Sequence, residues 1–149
     1  MDSAFCLQGV LFFAGAILIV RAFEPRKAGL FLTLAAANAL GNLLIAAFHS
    51  GPTARADGTA WVHATGALLA IVGGNAAIPA GSFIGPRWYR RLSAWLAALG
   101  LLSFMMFVIE LTTAAVEPLP PAVWERCSVY SITAWQMLTA AILCYLPDR

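Results

Sequence analysis

Charge is scarce in this chain. Of its 149 residues, 11% are charged and 61% are hydrophobic, whereas a soluble domain is about 25% charged and about 45–50% apolar. A soluble domain of this size still exposes roughly a third of its chain surface, so the apolar excess cannot be hidden from water. That excludes a soluble enzyme. Nine Lys and Arg against seven Asp and Glu leave a net charge of +2. This is too small and too scattered for a phosphate-binding face, and excludes a nucleic-acid binder. Familiar catalytic and metal signatures are missing as well. There is no Cys-x-x-Cys, His-Glu-x-x-His, phosphate loop or Gly-x-Ser-x-Gly. His49 and His63, with Glu110 or Glu125, are zinc-type donors, but a zinc site needs three or four ligands converging at about 2.0–2.2 Å, which spacing along the chain does not show. Neither metal nor cofactor is expected. Cysteine is limited to Cys6, Cys127 and Cys144. A Cys6–Cys127 bridge would suit an oxidising exterior, while thiols that fill apolar space are the plainer reading.

Long apolar runs dominate instead. A helix needs about 20 apolar residues to cross the bilayer, and five stretches qualify, at 4–20, 28–48, 61–84, 92–115 and 124–146. They are separated by loop signals: Glu24-Pro25-Arg26-Lys27, Ser50-Gly51-Pro52, Gly85-Pro86-Arg87 and Pro118-Leu119-Pro120-Pro121. No internal repeat or linker interrupts them. The expected architecture is all-α, a polytopic transmembrane helix bundle of five spans forming one domain over residues 1–149.

Lys and Arg in short loops set orientation. Arg21, Arg26, Lys27, Arg87, Arg90, Arg91 and Arg149 share one side if the spans alternate, and Arg55 and Arg126 lie on the other. That bias places the C-terminus in the cytoplasm and the N-terminus outside. Trp61 and Trp124 then mark the outer boundary, and Trp88, Tyr89 and Tyr145 the inner one. Trp135 is mid-span and no anchor. The first span lacks a basic leader and a cleavage site, so it does not read as a signal peptide. One further helix upstream would bring the N-terminus inside.

Polar residues within spans are costly and usually face the bundle interior. Asn38, Asn42 and His49 share a face of the second span. Gly100, Ser103, Phe107 and Glu110 share a sector of the fourth. The fifth carries two stripes about 100° apart: Arg126, Tyr130 and Thr133, and Glu125 with Gln136. By depth, His49, His63, Glu110, Glu125 and Arg126 gather at the outer boundary. Asn42 and Tyr130 lie below them, and Asn38, Ser103 and Gln136 deeper still. The pattern reads as a polar pocket that opens outward and narrows toward the midplane. The plainer reading of each residue stands beside this one. Asn, Gln, Ser and Thr act as hydrogen-bonded glue between membrane helices. Arg126 snorkels to headgroups, Glu125 complements a helix dipole, and boundary histidines need no special reason. Glu110 follows the apolar run 104–109 and is the hardest to dismiss. In the third span, Pro79 removes the bond to the Asn75 carbonyl and predicts a kink among small residues, with the Asn75 side chain serving the freed backbone groups.

The fifth span, Trp124-Glu125-Arg126-Cys127-Ser128-Val129-Tyr130 with Trp135 five residues on, resembles the last helix of a bacterial membrane family, the domain of unknown function 998 family. Gly41-Asn42, His63-Ala64-Thr65-Gly66-Ala67 and Gly74-Asn75 resemble it too. The resemblance covers most of the chain and implies about six helices, a bacterial plasma-membrane location and no established activity. Against that number, the first helix is missing, and a partner chain is one source for it. The resemblance raises His63, Glu125 and Arg126 as site candidates.

Two functions compete. The first is a non-enzymatic membrane module that binds membrane lipid, a hydrophobic small molecule, or a partner chain or second copy. Asn38, Asn42, Ser103, Glu125, Arg126, Tyr130 and Gln136 would form its pocket. The second is a membrane-embedded enzyme performing acid/base chemistry on a lipid or isoprenoid substrate. Glu110, His49 and His63 would be its catalytic groups, within hydrogen-bond reach of one substrate. The lack of an inverted repeat weighs against a transporter.

Overall fold

The computed structural model describes residues 2–25, 28–113 and 120–145. Six α-helices and no strand occur among them: α1 (Asp2–Phe23), α2 (Ala28–Ala47), α3 (Pro52–Ala56), α4 (Ala60–Gly81), α5 (Arg87–Thr113) and α6 (Pro121–Tyr145). A single 3₁₀ turn, Ser82–Ile84, follows α4. All but α3 are long and apolar enough to cross a membrane, so the five expected spans are present. Helices satisfy every interior backbone group within themselves, which hydrocarbon demands. Arg26, Lys27, Pro118, Leu119 and Arg149, and the expected span ends at 114–115 and 146, lie outside the described residues.

Helices α1, α5 and α6 start or end beyond the expected bounds, whereas α4 gives way to the 3₁₀ turn at Ser82, short of 84. α1 takes in Arg21 in its last turn, and α5 begins at Arg87 where 92 was expected. Charged side chains can extend a helix past the hydrocarbon into the interface. The second loop is not wholly irregular either, since Pro52 starts the one-turn α3, a position where its missing N–H costs nothing.

α2 packs between α1 and α4, α4 between α2 and α5, and α6 against α5 and α4. The central element is α4. Over its most apolar window 56% of residues are buried, against 33% or less in every other span. Its small residues explain the position. Gly66 faces Gly41 and Leu44 of α2, Gly73 faces Leu34, Ala37 and Asn38, and Gly74 faces Ile132 of α6. Lipid is as apolar as a leucine face, so backbone approach at small residues supplies the attraction between membrane helices. α4 remains helical through Pro79 and ends two residues later. The sequence expects the Asn75 amide to serve the backbone freed at Pro79, and it does not. It donates to the Ile71 carbonyl (2.9 Å) and across to the Ser128 carbonyl of α6 (3.0 Å).

Trp135 is buried as expected for a non-anchor, at 2% exposure. It meets the rings of Phe12 and Phe31 edge-on, and its Nε1 donates to Ser93 Oγ at 3.1 Å. Trp61 and Trp88 are exposed near opposite ends. Tyr89 corrects the anchor reading. It is fully buried, and its hydroxyl bonds Thr139 Oγ1 at 2.8 Å. Neighbours on a helix point about 100° apart, so Trp88 meets lipid while Tyr89 enters the core. Cys6, Cys127 and Cys144 are free thiols, and no Cys6–Cys127 bridge forms.

A polar cavity beside an apolar groove

A cavity of about 760 Å³ lies between α1, α2, α4 and α6. Its polar lining comprises Gln8, Asn38, Asn42, His49, Ser50, His63, Glu125 and Thr133; Ala67, Ile71, Val129 and Ile132 are among its apolar walls. His49 and Ser50 follow α2, His63 lies one turn into α4, and Glu125 one turn into α6. They gather at one end of the bundle, the histidine end. Asn38 and Asn42 lie deeper along α2.

The two asparagines are fixed by hydrogen bonds. Asn38 is 1% exposed, and its Nδ2 donates to the Ala70 carbonyl at 2.6 Å. Asn42 Nδ2 donates to the Asn38 carbonyl (2.9 Å) and to Asn38 Oδ1 (3.3 Å). Asn38 therefore ties α2 to α4, as the glue reading holds, and also lines the cavity. His63 Nδ1 lies 2.7 Å from the Phe48 carbonyl. A carbonyl only accepts, so Nδ1 carries a proton and donates a hydrogen bond to Phe48.

A second space, about 500 Å³, runs between α1 and α6. Leu11, Phe12, Ile19, Phe31 and Leu143 make it apolar, and Gln8 and Gln136 stand at one end. Gln8 Nε2 donates to Gln136 Oε1 at 3.0 Å. Gln8 lines both spaces. It is a site residue that sequence reasoning missed. Its signal is a lone amide in the first apolar span, at Leu7-Gln8-Gly9.

The structure brings Asn38, Asn42, His49, His63 and Glu125 together on one cavity. The other candidates lie elsewhere. Gln136 lines the apolar groove. Ser103 is buried on α5. Arg126 is exposed and Tyr130 is 63% exposed. The sequence expects both stripes of the fifth span to turn inward. Only the Glu125 stripe and Thr133 do. Glu110 does not line the cavity. Its Oε2 is enclosed without a hydrogen-bond partner, so neither His49 nor Arg126 meets that oxygen. Among the described residues no group of three or more His, Cys, Asp or Glu is placed to hold a metal.

Five apolar spans around a buried polar seam define a small multi-pass helical membrane protein. The chain belongs to the family Protein of unknown function (DUF998), which it matches over residues 1–142, as the resemblance in its last span implies. No curated protein matches it, and neither does any solved structure.

Proposed function

We propose that this protein binds a lipid-like amphiphile, with the polar head in the cavity and the chain in the α1–α6 groove. One observation carries the reading: Gln8 lines both spaces, so a polar chamber adjoins an apolar channel across one side chain. The groove extends along α1 from Gln8 to Phe23. At 1.5 Å per residue this is about 22 Å, longer than one leaflet of a hydrocarbon core about 30 Å thick. Apolar lining gains nothing over lipid by hydrophobicity alone, so contacts and the polar head confer selectivity. Asn42, His49, His63 and Glu125 are the head-facing groups, with Asn38 at the floor and Gln136 closing the partition with Gln8. Arg126 and Tyr130, outside the cavity, are placed to meet headgroups of surrounding lipid. The Lys and Arg bias orients the histidine end away from the cytoplasm, so the cavity opens outward.

A second reading, acid/base chemistry on the bound lipid, is favoured by the His63 ring, anchored through Nδ1 to the Phe48 carbonyl in the same cavity as Glu125. In that reading His63 and Glu125 hold and move the proton, with Glu110 outside the cavity.

Gly15 provides the test. It lines the groove, and a Cβ there meets nothing within 4 Å. A side chain can therefore start there without a clash at its Cβ, and Gly15→Phe puts a ring into the groove. Wild-type protein extracted in mild detergent should retain lipid by native mass spectrometry, and Gly15→Phe should fold and lose it. Equal retention by both proteins would sink the proposal. Conversion of the retained lipid on incubation would select the enzymatic reading.

A further inference from the structure

The polar atoms of the cavity are unequal in kind. The Asn38 amide donates to the Ala70 carbonyl. The Asn42 amide donates to Asn38, and the Nδ1–H of His63 donates to the Phe48 carbonyl. Gln8 Nε2 donates to Gln136. Each of these side chains has directed a donor back into the protein. What remains toward a ligand includes Asn42 Oδ1, Gln8 Oε1 and the Glu125 carboxylate, all of them acceptors. The hydroxyls of Ser50 and Thr133 and the imidazoles of His49 and His63 serve in either sense. No lysine or arginine is among the described residues that line the cavity, and Glu125 is exposed at its rim.

Resting on the amphiphile reading above, we infer that the ligand's head is rich in hydrogen-bond donors, a hydroxyl-bearing or primary-ammonium head, and not a phosphate or carboxylate. An anionic head would bring further acceptors against a carboxylate and two amide oxygens, with no lysine or arginine in the described lining to offset them. In a low-dielectric site unpaired acceptors are costly on both sides. A hydroxyl or ammonium head supplies the missing N–H or O–H groups. An ammonium adds a charge-assisted bond to Glu125, about twice as strong as a neutral one. Hydroxyl and ammonium heads share this donor chemistry, and Glu125 distinguishes them.

The experiment uses the full chain in phosphatidylcholine nanodiscs with three probes of equal chain length: a 1-monoacylglycerol, a primary alkylammonium and an alkyl phosphate. Binding is read by native mass spectrometry. Both donor heads should bind at least about tenfold more tightly than the alkyl phosphate, the equivalent of about 1.4 kcal/mol. Glu125→Gln should abolish the ammonium's advantage and preserve that of the monoacylglycerol. Phosphate binding equal to or tighter than the donor heads overturns the inference, as does an ammonium advantage that survives Glu125→Gln. Gly15→Phe separates the two levels. If it weakens all three probes while phosphate is preferred, the site stands and the head assignment falls. If it weakens none, the site itself falls.

Discussion

Replacing Gly41 by alanine tests how the bundle holds together. A Cβ at Gly41 would stand 2.5 Å from the Gly66 carbonyl oxygen and 2.8 Å from Ala70 Cα, and nearer still to Ala70 N. All three are backbone atoms of α4, and none can rotate away. Ordinary contact requires 3.4–4 Å, so α2 and α4 must separate by about 1 Å, a gap that forfeits about a quarter to a half of each dispersion contact along the seam. The 2.6 Å bond from Asn38 to the Ala70 carbonyl would open to about 3.6 Å, beyond hydrogen-bonding range. Overpacking costs about 1–3 kcal/mol and the lost bond about 0.6–2 kcal/mol. Better helix propensity returns about 1 kcal/mol. The net expectation is a loss of about 1–4 kcal/mol. Unfolding by sodium dodecyl sulfate in mixed micelles, followed by circular dichroism, measures it. Gly15→Ala is the control, because open space around its Cβ leaves only the propensity gain of about 1 kcal/mol. If Gly41→Ala proves as stable as Gly15→Ala, the close approach of α2 and α4 is not what joins them.

Other expectations follow from the same geometry. Asn38→Leu removes the tie to Ala70 and crowds the seam, and should lower stability by about 1–3 kcal/mol in the same titration; an unchanged midpoint would refute its role as glue. Glu110→Gln should leave lipid retention unaltered, since Glu110 does not line the cavity; loss of bound lipid would extend the site to α5. For orientation, single cysteines replace exposed Asp57 and Arg90 in a chain without its native thiols. An impermeant maleimide should label the first in intact cells and spare the second, and the reverse pattern would invert the topology.

Much of the architecture is legible in the sequence because the bilayer imposes a length and a hydropathy that single sequences display. The five spans follow from that rule alone. The cavity is legible in part. Asn38, Asn42 and His49 lie at helical spacing and share a face, and that face does turn inward. Sequence does not tell how wide a sector each neighbour covers. Tyr130 is exposed although Glu125, five residues earlier, reaches the cavity. Tyr89 misleads for a related reason, because an aromatic at a boundary looks the same whether its ring faces lipid or a threonine 50 residues away. Gln8 escapes notice since its meaning depends on α6, a helix more than a hundred residues further along.

The bond from Asn38 to Ala70 also bears on the order of membrane insertion. Its acceptor is 32 residues downstream, so α2 is synthesised before the carbonyl that its amide requires exists. Asn42 spends its own donor on Asn38, one turn back in the same helix, and is satisfied as soon as α2 forms. Asn38 is not. An amide without a partner in hydrocarbon costs several kcal/mol. The second span therefore gains its full stability in the bilayer only when the fourth helix follows it out of the insertion machinery. Pairing of α2 with α4 should help to hold the second span in the bilayer, and a chain truncated before residue 70 should hold it there less firmly.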